Sequence, residues 1–172
     1  MAVRLAIEAD AADVVEIIHQ VGREERYLVN EGEAPPVAVQ ARQIGAMSNG
    51  SSPTRLWVAT DQANKVVGML EMMRGSFRKN AHTATLAMAL MPSARGQGLG
   101  TALMQAALKW ADDASVLKVS LSVFETNEVA LALYRKCGFV VEAIRTHQFF
   151  IGGKYVAEVQ MARWNPARTD VP

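Results

Sequence analysis

The chain reads as an α/β protein in which strands feed helices through short polar turns. Three stretches carry that reading. The apolar run Thr85-Leu86-Ala87-Met88-Ala89-Leu90-Met91 ends at Pro92 and leads into a glycine loop, Arg95-Gly96-Gln97-Gly98-Leu99-Gly100. A helical pattern follows from Thr101 to about Asp112. The alternating run Leu117 to Phe124 then leads through Thr126-Asn127-Glu128 into a second helical pattern that closes on Gly138-Phe139. Ahead of both, Leu56 to Thr60 and Lys65 to Met72 read as a strand pair around a polar turn. Strands that alternate with helices in this way build an α/β sheet.

Length and composition narrow the classes of function. At 172 residues, half of them hydrophobic, the chain suits one domain with a sizeable core, expected over 3–165 with 166–172 as a tail. The net charge of +1, without a basic run, gives no push toward nucleic acid. A single cysteine excludes an internal disulfide and fits a reducing compartment. The first residues carry acids and lack the apolar core of a signal peptide. No uncharged apolar run approaches the roughly 18 residues of a membrane helix. No His or Cys cluster has metal-ligand spacing, so no metal is expected. A cytoplasmic enzyme or binding module, free of membrane and nucleic acid, is the expectation.

In chain order, Val3 to Ile7 alternates as a first strand. Asp10 suits the N-cap of a helix in which Val14, Ile17, Ile18 and Val21 recur at helical spacing to about Arg23, with His19 on its surface. Residues 24–36 form an acidic loop with Glu24, Glu25, Glu31 and Glu33, and 37–47 a second helix. Glu71 sits late in an apolar strand, where alternation favours an outward-facing side chain over a general base. His82 opens the next strand and reads as structural. The run 84–91 is apolar on both faces and is expected to be buried in the sheet. In the helix after the glycine loop, Leu99, Leu103, Ala106 and Trp110 share a stripe, and Asp112-Asp113 place unhelpful charge at its end, so it should stop before them. Thr126 suits the next N-cap and Gly138 a C-cap. Val140 to Ile144 and Tyr155 to Trp164 read as strands around the hairpin signal Gly152-Gly153.

The glycine loop carries the chemistry. Glycine lets backbone N–H groups approach a ligand, and the first N–H groups of a helix lack internal partners, so the turn suits a phosphate or pyrophosphate. Arg95 adds a cation, and no acid lies in 91–101. The spacing misses both the dinucleotide fingerprint and the Walker loop.

Arg95-x-x-Gly98-x-Gly100 on a strand-to-helix turn resembles the pyrophosphate loop of the GNAT N-acetyltransferase superfamily. Asn127 followed by Ala130-Leu131-Ala132-Leu133-Tyr134-Arg135-Lys136-Cys137-Gly138-Phe139 is similar to that family's second motif. The resemblance covers roughly residues 3–165 and is sharp over 84–140. It implies a mixed sheet of about six or seven strands, with a splayed parallel pair and helices on both faces. It further implies acetyl-CoA as co-substrate, held by Leu90, Met91, Arg95, Gly96, Gln97, Gly98, Leu99, Gly100, Thr101, Asn127 and Tyr134. In the family, the segment after the first helix forms a wall of the acceptor site, and an acidic wall suits a cationic amine. A homodimer through the C-terminal strands follows by the same analogy.

The reaction so implied is acetyl transfer to a primary amine, of a small molecule such as an amino acid or polyamine. A strand N–H at Leu90 or Met91 would stabilise the developing oxyanion. Tyr134, a phenol protonated at neutral pH, would donate to the departing thiolate. The general base stays open among Glu71, Glu24, Glu25, His82, His147 and water. Cys137 lies at a helix C-terminus, where the dipole disfavours a thiolate, and reads as a small hydrophobe rather than a nucleophile. The alternatives are a catalytically silent acyl-CoA-binding sensor and an enzyme acting on protein N-termini or lysines.

Overall fold

The computed structural model describes residues 2–165. Its elements are β1 (Ala2–Leu5), α1 (Ala11–Gly22), α2 (Val37–Ser48), β2 (Thr54–Thr60), β3 (Val66–Arg74), β4 (Thr83–Leu90), α3 (Leu99–Asp113), β5 (Lys118–Phe124), α4 (Glu128–Lys136), β6 (Val140–Ile151) and β7 (Lys154–Trp164). The strands form one seven-stranded sheet in the order β1-β2-β3-β4-β5-β7-β6. Neighbours are antiparallel except β4 and β5, which run parallel. The expected tail, 166–172, lies outside the described residues.

The parallel pair is short. β4 and β5 are in register only over Thr83–Thr85 against Lys118–Ser120. Beyond that point β4 stays with β3 as far as Leu90 and β5 stays with β7 as far as Phe124. The sheet therefore parts between Leu86–Leu90 and Leu121–Phe124. A gap in a sheet leaves backbone hydrogen-bonding groups free along its edges.

Helices cover both faces. α3 buries Leu99, Leu103, Met104, Ala107, Leu108 and Ala111 at helical spacing. With α4 it closes a core that includes Leu70, Met72, Leu86, Val119, Leu121, Val123, Tyr134, Phe139 and Met161. α1 and α2 close the other, smaller core, through Val14, Ile17, Val21 and Ile44 on Leu56, Val58, Val66 and Ala89.

Several local expectations are corrected. α3 does not stop before its two acids: Asp112 accepts two bonds from Arg163, at 3.0 and 3.1 Å, and Asp113 pairs with Lys109 at 2.9 Å, so both charges are compensated. Asp10 gives no side-chain cap to α1. Its carboxylate receives the Ile7 N–H and both arms of Arg4 instead, which holds it below the usual carboxylate range against the opposing effect of burial. The cap of α4 is Asn127 rather than Thr126, its side chain accepting from the Ala130 N–H at 3.2 Å. β4 is buried on one face only: Thr85 and Ala87 are exposed, because the α1–α2 layer covers just the Ala89 end of that strand.

Candidate active site

The glycine loop carries the chain from the end of β4 into α3. Gly98 caps α3 in the left-handed region, at φ 78°, and Gly96 is also left-handed, at φ 72°. A Cβ at either would meet nothing within 4 Å, so their freedom serves backbone conformation and leaves the outer side of the loop open. The first intrahelical bond runs from the Ala102 N–H to Gly98 O, at 3.0 Å. The preceding amides, from Gly96 through Gln97, Gly98, Leu99 and Gly100 to Thr101, donate to no other described residue. They form a continuous row of free donors at the positive end of α3, which suits a pyrophosphate.

Gly100 closes the junction behind the loop. A Cβ there would lie 3.2 Å from Leu133 on α4 and 3.3 Å from Leu90 on β4. The loop, the end of β4 and the middle of α4 thus converge at one end of the gap.

Backbone parity sorts the two strand donors. The Met91 N–H is already donated to Val67 O, at 2.9 Å, and Gly75 donates to Thr83 O at the other end of β4. Odd-numbered residues of β4 therefore bond to β3, and the N–H groups of Met88 and Leu90 face the gap. Of the two strand amides expected to serve an oxyanion, Leu90 has its N–H free and Met91 does not.

Arg95 is committed to protein groups. Its guanidinium grips Glu24 with both arms, at 2.6 and 2.8 Å, donates to Leu90 O at 3.0 and 3.1 Å, and lies over the Tyr27 ring at 4.4 Å. The Glu24 carboxylate raises the guanidinium's already high pKa. The free donors for an anion are the loop amides, while Arg95 ties the acidic segment after α1 to the end of β4. Glu24 and Tyr27 were not legible as its partners, since nothing local in the sequence links positions so far apart.

Tyr134 is buried, 6% exposed, within the α3–α4 core beside Phe139. Burial pushes its phenol up to about 12, so it stays protonated at any physiological pH. No described protein group bonds to its hydroxyl. Cys137, one turn on, has its thiol pushed up by burial, against weaker opposing effects of Arg163 and Lys136, and is no thiolate.

The expected bases are scattered. Glu24 is held by Arg95. Glu25 stands exposed in the turn after α1, at φ 48°. His82 is exposed just before β4, at the paired end of the β4–β5 ladder. His147 is exposed on the edge strand β6, at φ 55°, against Tyr155. Glu71 is half-buried on β3 rather than outward-facing, and burial raises its pKa above the usual carboxylate value. Among the described residues, no group of His, Cys, Asp and Glu is placed to hold a metal ion. No described helix is long and apolar enough to cross a membrane.

The chain is similar to known proteins in sequence and in fold. The family model described as "Acetyltransferase (GNAT) family" matches residues 20–139. A spermidine N(1)-acetyltransferase of Vibrio cholerae is 29% identical over 102 residues, which span 59% of this chain and 58% of that protein. The chain thus matches little more than half the length of that relative. Among solved structures, a GNAT-family acetyltransferase of Streptococcus pneumoniae superposes with a TM-score of 0.87 at 21% identity, covering 95% of this chain and 98% of the other. A phosphinothricin acetyltransferase of Sinorhizobium meliloti, solved in complex with acetyl-CoA, gives 0.83 at 20% identity, covering 99% and 91%. Both share the fold of this chain. With the family model spanning most of its length, the chain belongs to the acetyltransferase (GNAT) family.

Proposed function

We propose that the protein transfers the acetyl group of acetyl-CoA to a primary amine of a small molecule, of the amino acid or polyamine class, by direct attack. The observation that carries the reading is the row of free amides from Gly96 to Thr101 at the mouth of a gap between parallel strands, with a protonated, buried tyrosine on the helix that closes it.

The loop amides and the N-terminus of α3 fit the pyrophosphate of coenzyme A, and the free groups of Met88 and Leu90 along the gap fit its amide-bearing arm. When bound, acetyl-CoA supplies the activated acyl group. A free strand N–H facing the gap, of Met88 or Leu90, stabilises negative charge on the thioester oxygen. Tyr134 donates its proton to the sulfur as the carbon–sulfur bond breaks, and its raised pKa keeps that proton available. Asn127 holds the start of α4, and so the placement of Tyr134 one helix length on. The acceptor class rests on the acidic segment that Arg95 holds in place and on the likeness to the Vibrio spermidine acetyltransferase.

The test is thiol release from acetyl-CoA against a panel of polyamines, amino acids and short peptides. Release that depends on a small amine supports the reading. Release with peptides alone replaces the acceptor by a protein amine. Tight acetyl-CoA binding by calorimetry, with no release across the panel, favours a binding module.

A further inference from the structure

We infer that Glu71 is the group that takes the proton from the acceptor ammonium, and that the acceptor lies on the α1–α2 face of the sheet, over Thr85 and Ala87. The inference deepens the acetyltransferase reading above and rests on it.

The placement comes from register. Glu71 pairs with Leu56 on β2 and with Ala87 on β4, so all three side chains share one face. Leu56 belongs to the α1–α2 core, which fixes which face that is. Thr85 aligns with Ser120 on β5, which carries the same face across the gap to the exposed Ser122. The helices stop short here: Ala89 is covered, whereas Ala87 and Thr85 are exposed. The result is a shallow polar floor of small side chains, with one carboxylate at its edge. Adjacent strands lie about 4.8 Å apart, so Glu71 stands one strand from the edge of the gap, within a side chain or one water of an amine seated there.

Nothing else on that face holds the carboxylate. Its same-face neighbours are Leu56, Met69, Met73, Thr85 and Ala87. α1 turns Val14, Ile17, Ile18 and Val21 toward the sheet, and α2 turns Ala41, Ile44 and Met47. The polar groups of α1 are used elsewhere: Asp13 accepts from the Val66 N–H, and His19 bonds to Gly32 O. No described residue donates a hydrogen bond to Glu71, and burial alone accounts for its raised pKa. A structural carboxylate at a half-buried strand position is normally paired, because desolvation without a partner costs stability.

The other acids and histidines are placed out of reach or occupied. Glu24 is clamped by Arg95, and Glu158, on the same floor, is paired with Arg145 at 3.1 Å. His82 precedes β4 at an even position, the parity of Ala84 and Leu86, so it belongs to the α3–α4 face, opposite Thr85 and Ala87. His147 stands on the outermost strand, with β5 and β7 between it and the gap.

The proton balance closes. The Glu71 carboxylate takes one proton from the ammonium, freeing the nitrogen lone pair. That nitrogen forms its bond to the thioester carbon as the carbonyl electrons move to oxygen at the Met88 N–H, the free gap-facing amide beside Ala87. Collapse breaks the carbon–sulfur bond, and the sulfur keeps the electron pair and receives the Tyr134 proton. The second nitrogen proton restores Tyr134 through solvent, and Glu71 returns its own to water. Tyr134 belongs to the α3–α4 core and Glu71 to the opposite face, so acid and base address the gap from its two sides.

The experiment is the pH profile of kcat/KM for wild type and Glu71→Gln, with acetyl-CoA affinity measured alongside by calorimetry. The wild type should show an acidic limb above the ordinary carboxylate range. Glu71→Gln should lose that limb and about 10²-fold in rate near pH 7, with acetyl-CoA affinity unchanged. The loss should shrink for a weakly basic acceptor that is already neutral at the assay pH. Folding of the variant is followed by melting. A half-buried carboxylate with a raised pKa weakens the fold once ionised, so Glu71→Gln should melt above wild type near pH 8, with the difference closing as the pH falls. An active wild type alongside a Glu71→Gln variant that keeps its rate and its acidic limb overturns this assignment and leaves the acetyltransferase reading standing. A wild type silent toward every amine overturns both.

Discussion

Arg95 and Glu24 meet as a two-pronged ion pair, at 2.6 and 2.8 Å, although 71 positions separate them in the chain. The same guanidinium donates to Leu90 O and covers Tyr27. The glycine loop, the end of the central strand and the segment after α1 are thereby fastened at one point. Lysine cannot reproduce the fork or the stacked plane. Arg95→Lys should cost about 1–2 kcal/mol and speed amide exchange across 23–33 before any ligand is added. Hydrogen exchange read by mass spectrometry checks this, and unaltered exchange in that segment means the fastening is incidental.

Gly98 separates conformation from space. Its φ of 78° makes any side chain costly by about 1–2 kcal/mol, yet nothing stands where a Cβ would go. Gly98→Ala should therefore lower stability by about that amount and keep some acetyl-CoA binding. Gly98→Glu should fold comparably and lose binding, because a carboxylate then faces the row of amides. Calorimetry with acetyl-CoA distinguishes them, and retained affinity in Gly98→Glu contradicts the loop assignment.

The strand–loop–helix unit, the tyrosine helix and the hairpin at Gly152-Gly153 were legible because each is specified by neighbours in sequence: glycines where φ is positive, apolar residues at one period, a cap beside its helix. The end of α3 was not. Asp112 and Asp113 look like a stop signal, and only Arg163, arriving on β7, turns Asp112 into an anchor. The open floor was half legible. In Thr85-Leu86-Ala87-Met88-Ala89-Leu90 the small residues fall on alternate positions, which marks one face as poorly filled. The run looked apolar throughout, and that concealed the alternation in size. Glu71 was legible as an oddity in an apolar strand, but its burial depends on where α1 and α2 end, which no local pattern states.

Arg163 is nearly buried, with 13% of its side chain exposed, against Asp112. Removing it leaves a carboxylate at the negative end of a helix. Arg163→Ala should destabilise by about 1–3 kcal/mol, and Asp112→Asn by less, since an amide still accepts. Urea denaturation checks the order of the two. Equal or reversed effects show that Arg163 contributes through packing rather than charge.

Cys137 should take no part in turnover. Burial raises its thiol, and it follows a helix C-terminus. Cys137→Ser should leave kcat within about twofold, well below the effect of losing a catalytic group. Initial-rate plots in the two substrates should intersect. Parallel lines, with inactivation on substitution, point to an acetyl-cysteine route.

The most direct measurement is kcat for Tyr134→Phe beside its acetyl-CoA dissociation constant. The ring is buried and only the hydroxyl is lost, so fold and binding should persist. With Tyr134 as the proton donor to sulfur, kcat falls about 10²-fold or more while the dissociation constant stays within about twofold. An unchanged kcat removes Tyr134 from the chemistry and contradicts the mechanism at its centre.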